Sequence, residues 1–119
     1  MSPEAQRIVI AKSVGWTGIY YNPVHGGWMG TRPKEDRDSY YLLDYLNDLN
    51  AMHEAEKILD ITKVEQYCST LVRIVRHSLG IDDYESILPT RFAVYSTAAQ
   101  RAEAFLKTIG KWEGGSDES

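Results

Sequence analysis

Thr97-Ala-Ala-Gln-Arg-Ala-Glu-Ala-Phe-Leu-Lys-Thr-Ile-Gly-Lys-Trp112 decides how this chain folds. Thr97 and Gln100 have capping-box spacing, in which each side chain satisfies a backbone N–H at the other's position. Ala98, Ala102, Phe105, Leu106 and Ile109 then recur at helical spacing, and Gly110 stops the run. A helix with one apolar face needs a surface to pack on, and the rest of the chain must supply it.

Upstream, Thr62-Lys63-Val64-Glu65 is a second capping-box pattern. Val64, Tyr67, Cys68, Leu71, Val72, Ile74, Val75 and Leu79 follow on one stripe, and Gly80 stands where a left-handed residue ends a helix. A further helix is expected from about Leu46 to Leu59. Ser2-Pro3-Glu4 has the form of a helix start, with Ser as N-cap and Pro at the first helical position. The Ile8-Val9-Ile10 run that follows is β-branched and suits a strand equally.

Strand signals lie between these helices. Ile19-Tyr20-Tyr21 and Trp28-Met29-Gly30 flank an Asn-Pro and Gly-Gly turn and read as a β-hairpin. Thr31 to Ser39 is a polar loop, and Tyr40-Tyr41-Leu42-Leu43 adds a third strand. Ile81 to Thr90 is acidic and irregular, while Arg91-Phe92-Ala93-Val94-Tyr95 alternates like a strand. The expectation is one α+β domain over residues 1–112, with a small antiparallel sheet of three or four strands and about four helices in a sandwich-like arrangement. Residues 113–119 form an acidic Gly/Ser tail with no means of burying itself.

Composition bounds the function. The 119 residues suit one domain, with 43% hydrophobic and 25% charged residues, as in ordinary globular chains. No apolar run approaches the ~20 residues of a membrane span, and the start lacks a signal-peptide core. Thirteen basic against seventeen acidic residues give a net charge of −4, which argues against non-specific nucleic-acid binding. A single cysteine, Cys68, excludes an internal disulfide framework and suits a reducing cytoplasm.

On a helical wheel of the segment around 42–59, Glu56 falls inside an arc of Leu42, Tyr45, Leu46, Leu49, Met52 and Leu59, with His53 at its edge. A carboxylate facing a core must be paired or neutralised. Two readings are open: Glu56 and His53 converge on a pocket, or Glu56 forms an interhelical ion pair, with Arg101 on the last helix as the first choice. His53-Glu54-Ala-Glu-Lys57 is not a zincin helix, because Lys57 occupies the second histidine's place. The glycines form neither a P-loop nor a dinucleotide fingerprint, and no nucleophile elbow is present. Cys68 is expected to be a buried, inert hydrophobe. Neither a catalytic constellation, a metal site nor a cofactor is therefore expected.

The hairpin offers the best surface. Trp16, Tyr20, Tyr21 and Trp28 are close in sequence to Arg32, Lys34 and Arg37. Aromatic rings beside guanidinium groups can grip an anionic ligand, form a protein-binding hot spot, or simply cover the helices.

Two blocks carry a resemblance: Asp44-Tyr-Leu-Asn-Asp-Leu-Asn-Ala-Met-His-Glu-Ala-Glu-Lys57, running on to about 59, and residues 97–112. A weaker match covers Lys12 to Trp16 and Trp28-Met-Gly30. They resemble a family of small phage and prophage proteins with an α/β/α sandwich domain. The resemblance implies helices on a small antiparallel sheet, a first helix ending near Gly15-Trp16, and expression in the cytoplasm of a bacterial host. It assigns no functional residues. The leading expectation is a non-catalytic accessory protein that binds a host or phage component, for instance to blunt host defence. The runner-up is a homo-oligomer sequestering a small anionic ligand, such as a nucleotide signal, in pockets lined by Trp28 and Arg32. A small hydrolase using His53 with Glu54 or Glu56 ranks last.

Overall fold

The β-branched run at Ile8 is helical because its cap decides the matter. In the computed structural model, which describes residues 1–34, 40–80 and 96–113, Ser2 Oγ accepts the Ala5 N–H at 3.1 Å. Pro3 opens helix α1, Pro3–Ser13. The helix ends at a left-handed glycine, Gly15, with φ 111°. Gly15 N–H donates to Lys12 O at 3.2 Å, and Trp16 N–H reaches back to Ala11 O at 2.9 Å. Glycine alone takes this backbone without strain, and the turn it makes puts Trp16 into the core.

The hairpin forms as expected, from β1, Thr17–Asn22, and β2, Gly27–Thr31. Asn22 Oδ1 accepts from Val24 N–H at 3.0 Å and His25 N–H at 3.3 Å, closing the turn with its own side chain. The third strand is shorter than its sequence suggests: β3 is Tyr40–Tyr41, although Leu42 N–H still pairs with Trp28 O at 3.0 Å. Beyond it, Arg7 of α1 donates to the carbonyls of Leu42 and Leu43 at 3.2 and 3.4 Å, drawing the chain off the sheet. The strands run antiparallel in the order β1-β2-β3.

Register sorts the rings. A bulge between Thr17 and Tyr20, where Gly18 has φ 58°, pairs Tyr20 with Met29 and Tyr21 with Trp28. Met29 in turn pairs with Tyr41, so Tyr20, Met29 and Tyr41 share one face. The other face carries Trp28 and Leu42, both packed with the hydrophobic core, whereas Met29 is buried outside that core.

Two helix starts differ from the sequence reading. The middle helix, α2, is Leu49–Glu56 and begins after an Asp48 cap, not at Leu46. Asp44 holds the Asn47 amide at 3.0 and 3.2 Å and its carbonyl takes the Asp48 N–H at 2.9 Å, so the segment 44–47 closes as a turn first. Helix α3 spans Ile61–Leu79, and Asp60, not Thr62, is its cap, accepting Lys63 N–H at 2.8 Å. Gly80 ends α3 in the left-handed region, as its position implies.

The last helix, α4, Ala98–Thr108, has the Thr97–Gln100 capping box formed in both directions. It packs against α1, α2 and α3. Ala98, Ala102 and Ala104 bring neighbours close, Phe105 and Leu106 fill the centre, and buried Thr108 satisfies its hydroxyl on Ala104 O at 2.8 Å. From α3, Tyr67, Leu71 and Val75 are buried. Cys68, one position off that row, is exposed, which corrects the expectation of a buried thiol. Among the described residues, four helices with a three-stranded antiparallel sheet make this an α+β fold. The expected strand at 91–95, the acidic segment 81–90, Arg37 and the tail beyond 113 lie outside the described residues.

Candidate functional site

The carboxylate flagged by the helical wheel is paired. Glu56 Oε2 meets Arg101 Nη1 at 3.3 Å, with the two side chains 19% and 11% exposed. Tyr67 donates its phenolic O–H to the same oxygen, and Arg101 Nε donates to buried Ser96 at 3.0 Å. The cluster joins α2, α3 and the entrance to α4. Burial raises the Tyr67 phenol well above its ordinary range, and the Glu56 hydrogen bond and charge push the same way. His53 is exposed on α2, and Glu56 is engaged by Arg101 and Tyr67, the ion-pair reading of that carboxylate. This cluster holds helices together.

Tyr20 and Trp28 are close in sequence yet lie on opposite faces of the sheet. Trp28 stacks edge-on with Tyr21, centroids 5.6 Å apart at 68°, on the core-facing side of the sheet. Tyr20 and Tyr41 lie on the opposite face astride Met29, 41% and 54% exposed. His25 in the turn meets the Tyr41 ring edge-on at 6.1 Å. The bulge at Gly18 is what divides the rings this way, because one extra residue reverses which side each faces.

Trp16 and Arg32 do come together. They line an open cleft of about 310 Å³ between the end of α1, the end of β2 and α2, with Leu43, Tyr45, Glu54 and Ala55. Trp28 is not part of its lining. Beneath the cleft Trp16, Tyr45 and Ala55 are buried. Burial raises the Tyr45 pKa, partly offset by Trp16 and by the Arg32 charge. Arg32 lies over the Tyr40 ring at 4.1 Å. Glu54, on the opposite side, pairs with Lys57 at 2.9 Å in full view of solvent. Tyr45 and Ala55 were missed as site residues in the sequence, because a turn tyrosine and a helix alanine carry no chemical signal there.

Among the described residues no group of three or more His, Cys, Asp or Glu is placed to hold a metal ion, and no helix is long and apolar enough to cross a membrane. No protein-family model, curated protein or solved structure matches this chain.

Proposed function

We propose that this is a non-catalytic accessory protein that binds another protein through the outer face of its hairpin. The observation that carries this reading is the pair Tyr20 and Tyr41, exposed on either side of buried Met29. Tyrosine gives a large rigid contact area at little entropic cost, with a hydroxyl to orient the partner, and is enriched in binding hot spots. Val24 at 88% exposure and His25 extend the face at the turn. The engagement of Glu56 by Arg101 and Tyr67 favours binding over the hydrolase reading, since that carboxylate already serves helix packing. The resemblance of residues 44–59 and 97–112 to phage proteins makes the partner a host or phage component in a bacterial cytoplasm. Occupying a host defence surface is the activity this suggests.

The test is affinity purification from phage-infected bacteria of the wild type beside a Tyr20→Ser/Tyr41→Ser variant. The expected result is one stoichiometric partner with the wild type that disappears with the variant, while both melt at the same temperature. Equal recovery with both chains would overturn the assignment of the face. Native mass spectra of the same samples report any homo-oligomer.

A further inference from the structure

We propose that the surface at the C-terminal end of α4 binds a small, multiply charged oxyanion of the oligophosphate class. The site shares no residue with the hairpin's outer face and does not depend on the partner-binding reading.

The chain builds this surface where the helix stops. Gly110, left-handed at φ 76°, ends α4, and Lys111 N–H reaches back to Leu106 O at 2.8 Å. The turned segment contributes to two open clefts. Toward α3, Thr70, Arg73, Lys107, Gly110 and Trp112 line one of about 230 Å³. Toward α1, Val9, Lys12, Ser13 and Lys111 line one of about 360 Å³. Consecutive residues of one short segment wall both, so the clefts lie side by side.

Charge sets the ligand. Arg73 and Lys107 line the first cleft, Lys12 and Lys111 the second, and no aspartate or glutamate lines either. This concentration of cations stands in a chain whose net charge is −4. Helix-end electrostatics account for part of the surrounding basic surface: Lys63 donates to Thr108 O at 3.4 Å, and Lys107 pairs with Glu103 at 2.9 Å. Lys12, Arg73 and Lys111 are exposed and form no ion pair with any described residue. Their charged groups are therefore within reach of a ligand from solvent. Lys107 is steadied at the cleft wall, its ammonium 5.7 Å from the centre of the Trp112 ring.

Lysines are point charges that meet an anion from any side, whereas Arg73 adds a planar fork. A chain of phosphates carries several charges and turns oxygens in every direction, so it engages cations from both clefts together. A single carboxylate would satisfy one of them.

The probes are phosphate, pyrophosphate and tripolyphosphate, titrated into the full chain at constant ionic strength and followed by ¹H–¹⁵N NMR. Affinity should rise along that series, with saturable shifts at the Gly110 and Lys111 amides and the Trp112 indole N–H. Arg73→Gln and Lys111→Gln, both exposed substitutions, should each weaken tripolyphosphate about fivefold without changing Tm. The Tyr20→Ser/Tyr41→Ser variant should bind it like the wild type. Shifts that do not saturate, or undiminished binding to Arg73→Gln, would overturn the site. Undiminished binding to Lys111→Gln would overturn the joint use of the two clefts. Tighter binding of citrate than of tripolyphosphate would overturn the phosphate class, and tighter binding of a thymidine oligonucleotide would overturn the small ligand.

Discussion

Glu56 and Arg101 stand 45 positions apart in sequence and meet at 3.3 Å, largely shielded from water, with Tyr67 sharing the same carboxylate oxygen. The arrangement ties three helices through one acceptor. A half-buried carboxylate that loses its charge leaves the opposing guanidinium undercompensated, and that cost exceeds the net worth of the pair itself.

Glu56→Gln is accordingly expected to destabilise the fold by about 2 kcal/mol, below the range for fully buried pairs because both side chains keep some solvent. In a chain of this size that is roughly 6–12 °C in Tm, read by calorimetry or circular dichroism. Replacing the trio together, as Glu56→Leu, Arg101→Met and Tyr67→Phe, should cost less than the sum of the single changes. A Tm within 2 °C of wild type for Glu56→Gln (less than about 1 kcal/mol) would show that the pair is not structural.

That ion pair was legible in the sequence even though the helix bearing it was drawn too long. Met52 and Glu56 are one turn apart wherever α2 begins, so the conflict of a carboxylate on an apolar arc survives the error in its start. The long α3 stripe was legible only in part. Its packing uses the row Tyr67, Leu71 and Val75, and Cys68, one position on, is rotated about 100° out of it. The cleft was less legible still. It depends on the left-handed Gly15, which turns Trp16 inward, and on the turn that carries Tyr45, and neither has a periodic signature. Among its lining residues only Trp16, Arg32 and Glu54 stood out by type.

The caps give a sharper comparison. Thr62 and Glu65 have capping-box spacing, yet Asp60 holds the end of α3. An aspartate reached two residues earlier takes the free N–H groups first, and its charge suits the positive end of the helix dipole. Asp60→Ala should cost about 1 kcal/mol in urea unfolding, while Thr62→Ala, exposed inside the first turn, should stay within about 0.5 kcal/mol of wild type. The reverse order would restore Thr62 as the cap.

Gly30 is needed for space rather than for backbone freedom. A methyl group there would stand 3.1 Å from Ile19 Cγ1, 3.2 Å from the Thr17 carbonyl and 3.4 Å from the Trp16 ring. The carbonyl cannot yield without moving β1, so Gly30→Ala should cost about 1–3 kcal/mol and displace Trp16. Gly26→Ala makes the control: its φ of 69° strains any other residue, but nothing lies within 4 Å, so it should cost only about 1 kcal/mol and leave the cleft intact. Urea unfolding ranks the two, and a Gly30→Ala chain no less stable than Gly26→Ala would show that the sheet yields at Gly30 without cost.

High pH isolates Tyr67 from the other contributions. Burial and Glu56 raise its pKa above the ordinary 10.0, and burial raises that of Tyr45. With the folded-state values the higher ones, the unfolded chain loses these protons first. The stabilisation is therefore complete below about pH 10 and is lost as pH rises toward the folded-state values. Within that window each phenol contributes a slope of about 1.4 kcal/mol per pH unit. Tyr67→Phe removes one such term and also the Glu56 hydrogen bond. The variant should be about 1 kcal/mol less stable than wild type at pH 7, yet lose stability more slowly above pH 10. Urea unfolding of both chains at pH 7, 10 and 11 reads the two slopes, and parallel lines would show that Tyr67 ionises no less readily folded than unfolded.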